Sequence, residues 1–464
     1  MNCRPQSEHE TWRAIIYSRD GTHVVLKISE SGFAFPCVEI PRWERLAENL
    51  TGVVKRDWGC DAVCLFALND FSEDGSTNNS YEVMECWHQE AHSIGSAWKP
   101  VHSLTADFFE NPAEFQILQQ SLQRLDRYAR DPMLPFACRG SFARVRNWTR
   151  DAIRPSGLEL ETSFRQHNAS ESFSLIRFET NSPAVWFKAV GEPNLREFPI
   201  TLKLAELFPG FLPEILATRP EWNAWLSREV EGTNLGETKE TALWTRAAAK
   251  LAELQIRSIS GTNSILHAGA RDLRTDSLLD LVDPFFEVVA RLTEQQPRVP
   301  PPVLSRQDLS LLKLRIEDAL TLLDDLRIPN ALGHLDLNPW NVIVTADRCV
   351  FLDWAEAYVG LPFFSFEYLL QHFRRATGRD AVLESVFVDT YRAPWRQLLS
   401  DDLTSEAFAL APLTAVFAYA AGTQAWKNEE RLQDLETGAY FRSLARRMCH
   451  EANELADRRS AYTV

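Results

Sequence analysis

Short apolar runs separated by polar turns fill roughly the first half of the chain, and apolar residues recur at helical spacing through most of the rest. Residues 12–17 and 23–28 flank Ser18-Arg19-Asp20-Gly21-Thr22, which predicts a hairpin. Residues 33–38 read as a further strand, with Pro36 marking an edge or a bulge. Residues 43–58 place Trp43, Leu46, Ala47, Leu50, Val53 and Val54 at helical spacing. Residues 62–68 and 81–87 are strand-like around a polar loop at 71–79, and 113–128 form an amphipathic helix. The charged, Pro-rich stretch from Arg130 to Pro135 marks a boundary.

Beyond it the pattern predicts a short helix over 141–153, an extended segment over 158–165, a polar turn over 166–172 and a strand over 173–180. Residues 184–190 set one cation, Lys188, inside an apolar strand, where an ammonium needs a partner. The next helix, 193–207, offers Glu197 early and Glu206 late. Short strands at 214–217 and 223–230 follow. Helical spacing then dominates over 240–257, 275–292, 310–326, 363–376, 381–399, 405–421 and 440–456, with a Pro-rich connection at 297–302.

One interruption in that helical region carries the candidate chemistry. Residues 342–344 and 349–352 read as short strands joined by a turn at 345–348. Such a hairpin holds Asp336, Asn341 and Asp353 near one point on a rigid support. Oxygen ligands of this kind suit Mg²⁺, which takes carboxylates and keeps positions for water and phosphates. An Asp left off the metal can accept a proton from a hydroxyl. These are the parts of a phosphoryl-transfer site.

The pattern His334-x-Asp336-x-x-x-x-Asn341 followed by a strand-end Asp353, with Pro339 inside the loop and Gly360-Leu361-Pro362 after it, resembles the catalytic and metal-binding loops of the aminoglycoside phosphotransferase and choline kinase-like enzymes. These are small-molecule kinases on the protein-kinase fold. The resemblance implies Asp336 as catalytic base and Asn341 and Asp353 as Mg²⁺ ligands. It implies that Lys188, oriented by Glu197, contacts the phosphates of ATP (or GTP), and that backbone around Ser227 to Val230 contacts the base. His334 then braces the loop. Helices after the metal Asp would line the acceptor pocket, with Glu356, Glu367, Trp426, Glu429 and Glu430 as candidates by position. The sequence departs from the family at Leu335, usually Gly, and at Trp340, commonly a small residue.

The order of elements in the first 128 residues resembles the Nudix hydrolase fold. A Nudix helix carries Arg-Glu-x-x-Glu-Glu for Mg²⁺, and the corresponding helix here offers only Glu44 and Glu48. That resemblance therefore implies a binding or packing module. The expected organisation is α+β: a bilobal protein-kinase-like fold with an additional N-terminal α/β Nudix-like domain. Its parts are a Nudix-like domain at 1–128, a linker at 129–140, a small β-rich lobe at 141–230 and a helical large lobe at 231–464.

Composition narrows the setting. The 464 residues are 45% hydrophobic and 11% aromatic, enough for well-formed cores. The formal net charge of −15 without a concentrated basic run argues against nucleic acid and would suit a cationic substrate. The eight Cys show no zinc spacing, and several sit within apolar runs as reduced core residues. The polar start is not a secretory signal, and no uninterrupted apolar run is long enough to span a bilayer, so a cytoplasmic location without membrane contact is expected. The expected activity is ATP-dependent transfer of a phosphoryl group to a hydroxyl of a small molecule. The alternatives are a catalytically inactive pseudo-kinase that binds ligand without turnover, and a nucleoside-diphosphate hydrolase in the first domain. The sequence names neither the acceptor nor the oligomeric state.

Overall fold

The structure, a computed structural model, describes residues 9–42, 44–71, 77–89, 96–297, 299 and 301–462. Cys3, Trp43 and the centre of the predicted 71–79 loop lie outside these residues. The chain divides into two compact units, residues 1–198 with 214–229, and residues 199–213 with 230–464.

The first unit holds two sheets. A seven-stranded mixed sheet places His9–Tyr17 parallel to Thr77–Gln89 and antiparallel to Cys37–Pro41, while Cys60–Phe71 and Thr77–Gln89 pair antiparallel. The second half of His9–Tyr17, from Ala14 on, is buried on both faces. Ile15 and Tyr17 enter one apolar core, Ala14 and Ile16 the other, as the two-residue period of a strand requires. The helix Leu46–Trp58 covers the second core with Ala47, Leu50 and Val54. The single strand expected at 33–38 is two, Gly32–Ala34 and Cys37–Pro41, each on a different partner. Pro36 separates them: it has no N–H for a ladder, and its carbonyl accepts from Ala14 N–H at 2.8 Å. A strand missed by the sequence pattern, Ser96–Pro100, pairs with His23–Ser29.

The second sheet is five-stranded and antiparallel, with Val185–Ala189 between Ser174–Thr180 and Ala224–Arg228. Its core residues Phe178, Phe187 and Leu226 belong to the same apolar cluster as Ile15 and Phe66 of the first sheet and Leu118 of the helix Pro112–Tyr128. The stretch 129–140 adds Phe136 and Ala137 to that cluster. The polar turn expected at 166–172 is shorter than predicted. The strand Leu160–Ala169 runs on through Gln166, and only Ser170–Phe173 turns. Gln166 is buried because its side-chain amide caps a peptide group of the other sheet, accepting from Cys64 N–H at 2.7 Å and donating to Cys64 O at 3.2 Å. Both strands are irregular at that place, and the amide replaces the missing ladder bonds.

The second unit is mainly helical. The helix Thr241–Ser258 buries Ala247, Ala248, Leu251 and Leu254, and Thr275–Glu294, Arg306–Asp325, Phe363–Ala376, Asp401–Gly422 and Leu435–Tyr462 pack on the same core. Ser305 and Asp308 form a capping box that starts Arg306–Asp325. Among the described residues, Asp401–Gly422 is the one helix long and apolar enough to cross a membrane, and its Leu410, Leu413, Val416 and Phe417 are buried in this core. Two three-stranded sheets sit among the helices. One joins Thr233–Asn234, Val342–Val344 and Cys349–Phe351. The other joins Arg271–Leu273, Ala357–Gly360 and Ala331–His334. Gly360 is required there, because a Cβ would stand 2.3 Å from the Leu273 carbonyl oxygen.

Candidate active site

Within the second unit, the predicted hairpin forms over Val342–Val344 and Cys349–Phe351. Asp336 follows the strand Ala331–His334, in a loop that closes on itself. Asn341 Nδ2 donates to the Asp336 carbonyl at 3.0 Å, so Asp336 and Asn341 are brought together. Asn338 Nδ2 lies 3.3 Å from each carboxylate oxygen of Asp336, while its Oδ1 accepts from Trp340 N–H at 2.9 Å. Tyr368 Oη donates to Asp336 Oδ1 at 3.1 Å. Among the described residues, the side-chain partners of this carboxylate, Asn338 and Tyr368, are neutral donors. Hydrogen bonds fix its direction, and no ion pair among the described residues engages it.

His334 joins this loop to the one that carries Asp353. It is fully buried, and its Nε2 donates to the Leu352 carbonyl at 3.1 Å. Its Nδ1 accepts from Asp336 N–H at 3.1 Å. A ring that donates at one nitrogen and accepts at the other is neutral, and burial holds its pKa below the ordinary value despite the nearby carboxylates. The Leu352 N–H in turn donates to the Asn341 carbonyl at 2.8 Å. The peptide before Asp353 is thus clamped on one side by the Asn341 loop and on the other by His334. Asp353 itself takes a left-handed backbone, φ +61°, between the strand Cys349–Phe351 and the turn Trp354–Glu356. Short polar residues tolerate that conformation.

The two departures from the family pattern are absorbed locally. Leu335 is buried and its N–H donates to the Glu356 carbonyl at 3.0 Å. The Trp340 ring lies over Gly236, where a Cβ would come within 2.6 Å of it, and the Trp340 carbonyl accepts from Asn234 Nδ2 at 2.9 Å. Both side chains fit without displacing the Asp336–Asn341 hydrogen bond.

In the first unit, Lys188 Nζ and Glu197 Oε1 are 2.5 Å apart. The Glu197 side chain is 2% exposed and that of Lys188 is 15%. Lys188 stands on the central strand Val185–Ala189, and Glu197 is the first residue of the helix Glu197–Leu207. The helix that follows the apolar strand therefore supplies the ammonium's partner. Ser227 lies on the neighbouring strand, opposite Trp186, and is buried. Val230 belongs to the second unit.

Several contributors were not visible in the sequence. Asn338 and Tyr368 engage Asp336 directly. Tyr368 stacks on Tyr419 at 6.2 Å between ring centroids, and Tyr440 Oη donates to Tyr419 Oη at 2.8 Å, so three tyrosines from three helices continue outward from Asp336. Among the acceptor candidates chosen by position, Glu356 is paired with Arg271 at 2.8 and 3.0 Å, and Glu367 is buried beside Gln371 and Arg374. Trp426 is buried, with Nε1 donating to the Ala421 carbonyl, Glu429 pairs with Arg291, and Glu430 is exposed. Four of these five are thus engaged in structural contacts.

Residues 229–399 match the model of the phosphotransferase enzyme family. No curated protein matches the chain in sequence. Solved structures with similar folds include a choline kinase from Cryptosporidium parvum (12% identity, covering 68% of this chain and 97% of that one, TM-score 0.49). A macrolide 2'-phosphotransferase from Brachybacterium faecium is similar over 65% of this chain and 96% of its own (16% identity, TM-score 0.41). An ethanolamine kinase from Plasmodium vivax is similar over 72% and 93% (13% identity, TM-score 0.44). The Nudix-like reading of residues 1–128 rests on the sequence alone. Asp336, Asn341 and Asp353 all lie within the stretch that matches the phosphotransferase enzyme family.

Proposed function

We propose that the protein transfers the γ-phosphoryl group of ATP or GTP to a hydroxyl of a small molecule. The observation that carries this reading is the Asp336 carboxylate, oriented by Asn338 and Tyr368 and in no ion pair among the described residues, on a loop tied through His334 and Leu352 to Asp353. In this reading Asp336 orients the acceptor hydroxyl and takes its proton as the phosphoryl group moves. Asn341 and Asp353 would hold Mg²⁺. The Asn341 amide is held by its Nδ2 on the Asp336 carbonyl, and an amide and a carboxylate oxygen are ligands a hard cation accepts. When bound, the metal would neutralise charge developing on the phosphates. Lys188, aimed by Glu197, would contact the phosphates, with backbone around Ser227 and Val230 at the base. Positioning and electrostatics supply most of the rate in such sites.

Residues 1–128 act as a binding or packing module in this reading. Glu48 is engaged by His167 at 3.0 Å, and Glu44 lies outside the helix Leu46–Trp58. The seven described cysteines are all free thiols, which suits a reducing, cytoplasmic setting.

The testing measurement is Mg²⁺-dependent thermal stabilisation by ATP, GTP and ADP, on wild type and on Asp353→Ala. A triphosphate is expected to raise Tm only with Mg²⁺ in the wild type, and Asp353→Ala should lose that increment. No increment with any nucleotide would overturn the reading. Binding without turnover would select the pseudo-kinase alternative, which the short, hydrogen-bonded turn at Ser170–Phe173 favours.

A further inference from the structure

Two helices of the second unit repeat one pattern. On Phe363–Ala376, Tyr368 is followed seven residues later by Arg375, and on Leu435–Tyr462, Tyr440 is followed seven residues later by Arg447. Seven residues are two turns, so each Arg lies on the face of its Tyr, about 10 Å further along the helix axis. The tyrosines meet through Tyr419 at the Asp336 end. The arginines meet at a cavity of about 300 Å³, lined by Gln371, Arg374, Arg375, Arg379, Arg447, His450 and Glu451.

The charge of this cavity runs against that of the chain. Acidic residues outnumber basic ones overall, 64 to 49, yet four of the seven lining residues are Arg and one is Glu. Internal pairing removes only part of the excess. Arg374 is held by Glu384 at 2.9 Å and stands 3.7 Å from Glu367. Arg447 is 4.0 Å from Glu451. Among the described residues, no ion pair or side-chain hydrogen bond engages Arg375, Arg379 or His450. His372, whose ring is 5.1 Å from that of Tyr368, feels both Arg375 and Asp336. The cationic cavity and the carboxylate therefore lie along one continuous helix face.

We propose that this cavity anchors an anionic group, a phosphate or a carboxylate, on the acceptor whose hydroxyl meets Asp336. The inference rests on the kinase reading and adds the acceptor class: a hydroxyl compound that also carries an anionic group. The tyrosines would face the intervening part, offering ring faces and hydroxyls to a sugar or a flat ring. Arg guanidinium forks suit planar or tetrahedral oxyanions.

The experiment compares matched hydroxyl compounds with saturating Mg²⁺-nucleotide: glucose with glucose 6-phosphate, adenosine with adenosine monophosphate, and choline as a cation. Nucleotide consumption is followed alongside calorimetric binding of inorganic phosphate, in wild type, in the double variant Arg375→Gln/Arg379→Gln and in Arg375→Lys. The anionic member of a pair is expected to drive consumption. The double variant should raise its KM about tenfold with little change in kcat, and weaken phosphate binding to a similar degree. Arg375→Lys should keep most of that binding. A preference for neutral or cationic acceptors, or phosphate binding equal in wild type and the double variant, would overturn the inference. Phosphate that binds the cavity but competes with no acceptor would assign it to a free anion and overturn it equally. The kinase reading fails separately, if wild type shows no Mg²⁺-dependent nucleotide stabilisation, and the acceptor assignment fails with it.

Discussion

Three carboxylates of the first unit and Asp336 of the second are held by different kinds of partner. In the first unit Glu48 accepts from His167 and lies 3.9 Å from Arg165, and Glu114 accepts from Arg13 and from Phe35 N–H. Glu82, buried among apolar side chains, has its carboxyl pushed up to about 8 by burial first and by the charge of Glu171 second. It is protonated at neutral pH. In the second unit Asp336 is held by an amide and a phenol. A carboxylate beside a cation, or one without charge, is a structural element. A carboxylate oriented by neutral donors keeps its negative charge for a proton in transit. Carboxylates alone therefore do not mark a reactive site; the chemistry of their partners does.

The sharpest way to break this comparison is Asp336→Asn. It keeps the shape and removes the charge, so phosphotransfer should fall by about 10²- to 10⁴-fold while Mg²⁺-nucleotide stabilisation persists. Retained turnover, measured as product per unit time, would remove Asp336 from the role of base. The next effect is on stability. Because the folded pKa of Glu82 is raised, its contribution is complete below the ordinary value of 4.5 and is lost as pH rises through about 8. Thermal melts should drop by a few degrees between pH 7 and pH 9, and Glu82→Gln should flatten that drop. A wild-type curve that is flat over this window would show that Glu82 is charged in the fold. The smallest effect is expected at Glu48. Glu48→Gln should change stability by under about 1 kcal/mol, since the Glu48 side chain is itself partly exposed, and should leave phosphotransfer unaltered. A large loss of activity there would give the first unit a direct part in the chemistry.

Much of this arrangement was legible along the chain. The hairpin with Asp336, Asn341 and Asp353 follows from two short apolar runs and a turn, which are local signals. Lys188 is conspicuous because a cation in an apolar strand demands a partner, and Glu197 at the head of the next helix answers it. The helix over 363–376 falls where its spacing places it. The misses have physical causes as well. The turn at 166–172 was read as polar surface because Gln166 is polar, yet it is buried against a Cys64 peptide 102 positions away. The strand over 33–38 splits because Pro36 cannot bridge two partners.

The net charge carries the least about the site. A total of −15 suits a cationic substrate, whereas the cavity at Arg375 and Arg447 gathers four arginines. Charge summed over a chain carries no position, and seven-residue spacing on two separate helices becomes a cationic pocket only when those helices converge. By itself the sequence determined the elements, the Asp336–Asn341–Asp353 hairpin and the burial of Lys188, because each depends on neighbours within about twenty positions. Only the tertiary structure decided that His334 clamps the peptide before Asp353, that Tyr368 orients Asp336, and that Arg375 and Arg447 share one cavity. Contacts of that kind join residues far apart in the chain, and they form where packing of the apolar faces brings the polar ones together.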